Sequence, residues 1–177
     1  ATVSITASVG PDGITRTCRL TNSGNDAATC SVSIKAVSAS VHNITATFPA
    51  TSVHSTSTDT KGLTVNTRAT STVVTFGANP IVVNETTTVN VTVTDIESAG
   101  TKSNPTGTVI VSSSVGSDVI TGTCSLTNSG TDAATCSVSI KPVSASIHDV
   151  TATFAATSEH TTSTDTKGLT VNTPATS

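Results

Sequence analysis

The stretch Thr123-Cys-Ser-Leu-Thr-Asn-Ser-Gly-Thr-Asp-Ala-Ala-Thr-Cys-Ser-Val-Ser-Ile140 decides the fold, and it occurs twice. The earlier copy, Thr17 to Ile34, differs at Arg19 and Asn25 alone. Cys124 and Leu126 share one parity, and so do Cys136, Val138 and Ile140, with Ser and Thr between them. Alternating parity places apolar groups on one face of a strand and hydroxyls on the other. Asn128-Ser-Gly-Thr-Asp132 between the two arms is a run of turn formers, so the stretch predicts a β-hairpin. The expected register sets Cys124 opposite Cys136, Leu126 opposite Ala134 and Asn128 opposite Asp132. Directly opposed strand residues lie near the separation a disulfide needs, which predicts the pairs Cys124–Cys136 and Cys18–Cys30. Two cysteines without further ligands do not make a zinc site. Disulfides imply an oxidising compartment.

Cys18 aligns with Cys124 and Cys30 with Cys136, an offset of 106 residues. At that offset Ala1–Ser71 matches Gly107–Ser177 at about three-quarters of positions. Such a period is too long for a solenoid and is the size of one sandwich domain. Residues 70–177 read as a complete module of about seven short strands. In it Val89, Val91 and Val93, then Val109 and Val111, then Val150, Ala152 and Phe154, then Leu169 and Val171, face inward. No helical periodicity competes, so the fold class expected is all-β: tandem Ig-like sandwiches with one disulfide per module. Residues 1–69 hold the counterparts of the later strands only. That module lacks its first two strands, supplied either upstream or by a neighbouring molecule through strand complementation.

Composition bounds function. The 177 residues carry 8 basic and 11 acidic side chains, with no basic patch for nucleic acid or membrane surfaces. There is no Trp, Tyr or Met, and Phe48, Phe76 and Phe154 are the aromatics. Small β-branched residues suit strands but predict thin cores. No apolar run reaches the roughly 18 residues a membrane helix needs, and no signal peptide is visible.

Thr72-Val-Val-Thr-Phe-Gly-Ala-Asn-Pro80, Thr88-Val-Asn-Val-Thr-Val-Thr94, Gly107-Thr-Val-Ile-Val111 and Ser146-Ile-His-Asp-Val-Thr-Ala-Thr-Phe154 together resemble the bacterial Ig-like repeat domains of large cell-surface proteins. The resemblance spans the second module and the matching part of the first. The hairpin cysteines and the missing tyrosines depart from that pattern. What the resemblance implies is a structural role in stalks, adhesins or surface appendages.

Other constellations have plainer readings. His42 and His148 are expected to hydrogen-bond a loop from a strand edge, and His54 and His160 to sit solvated in Thr/Ser loops. No metal-binding spacing accompanies them. Asp59-Thr-Lys-Gly62 and Asp165-Thr-Lys-Gly168 read as turns before the last strand, not as calcium loops. An isopeptide bond from Lys35 or Lys141 would need a buried acid nearby. Asn43, Asn84 and Asn90 fit the N-glycosylation acceptor pattern. No nucleophile motif or phosphate loop appears, so neither an enzyme nor a cofactor is expected. The leading expectation is a structural repeat of an extracellular filament, sheath or adhesin stalk, partnered by copies of itself. The alternatives are a glycan- or protein-binding module acting through loops such as Glu97–Thr106 and an ice-binding surface built on Thr-x-Thr rows. The first lacks an aromatic platform, and the second needs a short, flat repeat.

Overall fold

The computed structural model describes residues 1–7, 15–36 and 38–175. Every regular element among them is a β-strand, as alternation of Thr and Val with hydroxyl residues favours. The chain divides into two compact units, Ala1–Thr67 and Arg68–Ser177.

The first unit contains β1 (Thr2–Ala7), β2 (Thr15–Arg19), β3 (Thr21–Gly24), β4 (Ala27–Thr29), β5 (Ser40–Phe48) and β6 (Ser57–Val65). Four of these form one sheet in the order β2-β1-β5-β6, and β3 and β4 form a separate ribbon.

The second unit contains β7 (Thr70–Phe76), β8 (Ile81–Val82), β9 (Thr87–Asp95), β10 (Thr108–Ser113), β11 (Val119–Thr121), β12 (Cys124–Ser125), β13 (Thr127–Asn128), β14 (Ala133–Lys141), β15 (Ile147–Phe154) and β16 (Ser163–Asn172). Its front sheet runs β12-β10-β15-β16-β8 and its back sheet β11-β14-β9-β7, with β13 also on β14. Neighbours are antiparallel except β8, which joins β16 in parallel at Val171↔Ile81. Asn79 pins that edge, donating to the Gly168 carbonyl (3.0 Å) and accepting from the Thr170 N–H (2.9 Å).

The inner faces share one core. Val89, Val91 and Val93 of β9, Ala134 and Ile140 of β14, Val150 and Ala152 of β15 and Leu169 of β16 are all fully buried. The parity of each strand is the parity of its sequence. Val109 is buried and Val111 packs half-buried against the cluster.

Three expectations need correction. The hairpin register is shifted by two residues: Thr127 faces Thr135 and Asn128 faces Ala134. Cys124 is not in that hairpin at all, because it pairs with Val109 on the front sheet. The reason lies at Gly122, whose φ of 102° is open to glycine and costly to other residues. There the chain leaves β11 on the back sheet, joins the front as β12, and returns as β13. Arg16 occupies the corresponding place in the first unit, and there the chain stays extended as the unbroken β2 along β1, with Arg16 opposite Ile5. Second, these crossings add short strands, so the unit holds more than seven. Third, Asp59–Gly62 and Asp165–Gly168 are not turns; they lie inside β6 and β16. β6 pairs along its full length with β5, and β16 pairs with β15 from Ser163 to Thr170; these ladders override the local turn chemistry of Asp and Gly.

Candidate functional site

Four links tie the front sheet of the second unit to its back sheet. The first is covalent. Cys124 on β12 and Cys136 on β14 form a disulfide with Cα atoms 5.0 Å apart, so the bond clasps two layers where a staple within one hairpin was expected. Cys18 and Cys30 are bonded likewise, with Cα atoms 5.7 Å apart. No cysteine is free.

The second link centres on Asp165. Its carboxylate, on β16, accepts the backbone N–H of Val74 on β7 (2.8 Å). Beside it, Thr70 donates to the Thr161 carbonyl (2.8 Å), and Thr72 shares a hydrogen bond with Ser163 (2.7 Å). Thr70 and Thr72 are buried, so these bonds satisfy groups that would otherwise be costly inside. The Thr/Ser run before the last strand therefore laces the layers together.

The third link lies where the chain enters the unit. Arg68 donates through its backbone N–H to the Glu159 carbonyl (2.7 Å) and accepts from the Thr161 N–H (2.9 Å). Its guanidinium Nε donates to the fully buried Asp95, and Nη1 donates to the Ala99 carbonyl (2.9 Å). Asp95 also receives the N–H groups of Ser103 (2.9 Å) and Glu97 (3.0 Å). Burial alone would raise the Asp95 carboxyl. The Arg68 hydrogen bond and the two backbone donors outweigh it and hold the group at about 2, below its ordinary 3.8. The same bond raises the Arg68 guanidinium, against the opposing effect of burial. His160, expected to be solvated, is 1% exposed and hydrogen-bonds Ser103. Its counterpart His54 is exposed, edge-on to Phe48 at 6.3 Å.

The fourth link is a buried acid–imidazole pair. His148 on β15 contacts Asp118 through Nδ1 (2.6 Å) and the Ser144 carbonyl through Nε2 (2.9 Å). Ser113 donates to the same Asp118 oxygen (2.5 Å). The hydroxyl faces the carboxylate rather than the imidazole, and His148 is fully buried. The trio thus lacks the serine–imidazole contact of an activated nucleophile. His42 also bonds a loop carbonyl, that of Ser38 (2.9 Å). Sequence reasoning missed Asp118, although an acid precedes each of these histidines at the same distance, at Asp12 and Asp118.

The remaining candidates are dispersed. Asn43, Asn84 and Asn90 are all exposed, on β5, after β8 and on β9. Lys35 and Lys141 are exposed as well. The loop 97–106 is tied down through Asp95, through Asn104 donating to the Gly130 carbonyl (2.9 Å) and through Lys102 near Asp132 (3.8 Å). A shallow groove beside Cys136 is lined by polar groups, among them Asn90, Thr92, Thr127, Thr135 and Ser137, without an aromatic ring. Among the described residues no cluster of three metal-ligating side chains occurs, and no helix is long and apolar enough to cross a membrane. No family model, curated protein or solved structure matches the chain.

Proposed function

We propose that this chain is part of a tandem array of Ig-like β-sandwich modules outside the cell, a filament, sheath or adhesin stalk whose work is reach and mechanical continuity. One observation carries the reading: Ala1–Ser71 recurs as Gly107–Ser177 at a domain-length offset of 106 residues, each copy with its disulfide at the same place. Four cross-layer links in a unit with a thin aliphatic core support it. Load that shears one sheet past the other meets a covalent bond and buried charged hydrogen bonds as well as Val and Ala contacts. Such bonds are stronger than neutral ones. The disulfides also support an oxidising compartment. Arg68, bound through backbone and side chain, anchors the chain where it enters the second unit.

The binding-module alternative has less behind it, because its candidate loop is fastened inward and the one groove described offers no aromatic platform. Negative-stain microscopy of the native material tests the choice. Long fibres of uniform width are the expected result. Separate globular particles with measurable glycan affinity would overturn it.

A further inference from the structure

We infer that the open side of the first unit is an acceptor for a strand pair of the β7–β9 class, supplied by another copy of the module. The inference shares its repeat relation with the array reading but stands on the surface of the first unit itself.

The second unit shows what a completed module needs. There β14 pairs with β9 over eight residue pairs, from Ala133↔Thr94 to Ile140↔Thr87. The last two residues of β16, Val171 and Asn172, pair with β8, and its Asp165 and Ser163 are engaged by β7. The first unit has the same acceptor surfaces without the donors. Ala27-Ala-Thr-Cys-Ser-Val-Ser-Ile-Lys35 repeats Ala133–Lys141 residue for residue, yet Ala27–Thr29 is its one strand segment. Strand β6 is the sheet's edge, and Ser57 and Asp59, the counterparts of Ser163 and Asp165, are exposed. Leu63 is 42% exposed where Leu169 is 0%. Val32 and Ile34 are half-buried where Val138 and Ile140 are buried. Among the described residues of the first unit only Cys18 and His42 are buried.

An open edge bearing unused backbone donors and acceptors is a template for an added strand. Here the template is specific. The apolar stripe of Ile44, Ala46, Phe48 and Leu63 calls for a segment alternating Val with Thr. The Asp59 carboxylate calls for a backbone N–H at the position Val74 holds in the second unit. The segment Thr70–Asp95 meets both demands, with Val74, Val89, Val91 and Val93 on its inner face. One donor segment lies within the 177 residues beside two acceptors, and the second unit already uses it.

A synthetic peptide spanning Thr70–Asp95, added to the whole chain, tests this. Titration should saturate at one peptide per chain, and hydrogen exchange should slow at residues 27–35 and 57–65 together. Val74→Asp in the peptide should weaken binding at least tenfold, because that side chain is buried in the finished module. Asp59→Ala in the chain, an exposed site that leaves folding intact, should weaken it several-fold. A version with the peptide tethered to the chain by a flexible linker guards against poor peptide solubility and should show the same slowed exchange. Absence of binding in both formats, equal binding of a scrambled peptide, or slowing confined to 57–65 would overturn the inference, the last indicating indiscriminate edge pairing. Fibres in native material with no peptide binding would remove the acceptor and leave the array; binding without fibres would do the reverse.

Discussion

Ala27–Lys35 and Ala133–Lys141 are the same nine residues in different states. The second copy is one continuous strand, and the first keeps three residues of it. Local propensity is identical, so propensity is not the cause. The difference is β9, which offers the second copy a ladder partner and three buried valines. A strand is completed by what it pairs with, since its hydrogen bonds lie between segments and not within one.

The largest effect expected is in hydrogen exchange: backbone amides at 137–140 should exchange about a thousandfold or more slower than those at 31–34, as closed ladders do relative to open segments. Equal rates at the two places would show that β9 is not what orders the strand. Next come the paired leucines. Leu169→Ala should cost the second unit about 3 kcal/mol, the usual range for a fully buried leucine, whereas Leu63→Ala should stay within about 0.5 kcal/mol, as exposed positions do. Urea denaturation followed by a probe in each unit reads both. Replacing Cys124 and Cys136 together by Ala should cost about 3 kcal/mol in the chain-entropy account of a loop this short, seen as an earlier transition of the second unit.

Smaller effects follow. Gly122→Arg should destabilise the second unit by about 1–2 kcal/mol, because it forces a side chain into a positive-φ position. Arg16→Gly, in extended backbone, should cost about 0.5–1 kcal/mol as any glycine in a strand does. A reversal of that order would refute the account of the sheet crossing. The acid response is last. The Asp95 carboxyl is lower in the folded protein, at about 2, than its ordinary 3.8. The stability it contributes is therefore complete above about pH 4 and is lost as pH falls toward 2, with a ceiling of about 2 kcal/mol before solvent screening reduces it. Asp95→Asn should flatten this limb of the stability curve for the second unit.

Much of this was legible from residue parity. Val89, Val91, Val93, Val150, Ala152, Phe154, Leu169 and Val171 face the core as alternation requires. Other features were not legible. His160 reads as a loop histidine, and nothing near it in sequence announces that Asp95, Ser103 and Arg68 surround it. Asp165 reads as a turn former, because its partner is a backbone N–H 91 residues away. Cys124 reads as a hairpin residue, because the cue to its real location is the conformation of Gly122 and not the identity of any neighbour.

The all-β character, the inward faces, the internal repeat and the partner of each cysteine follow from the order of residues alone. These depend on side-chain period and on chain order, which are written locally. Tertiary structure decided which sheet each short strand joins, that the disulfide spans two layers, and that one of two identical segments becomes a strand. Those outcomes depend on hydrogen bonds and burial between distant parts of the chain, and a strand carries its unmet bonds on its edges until another segment arrives to take them.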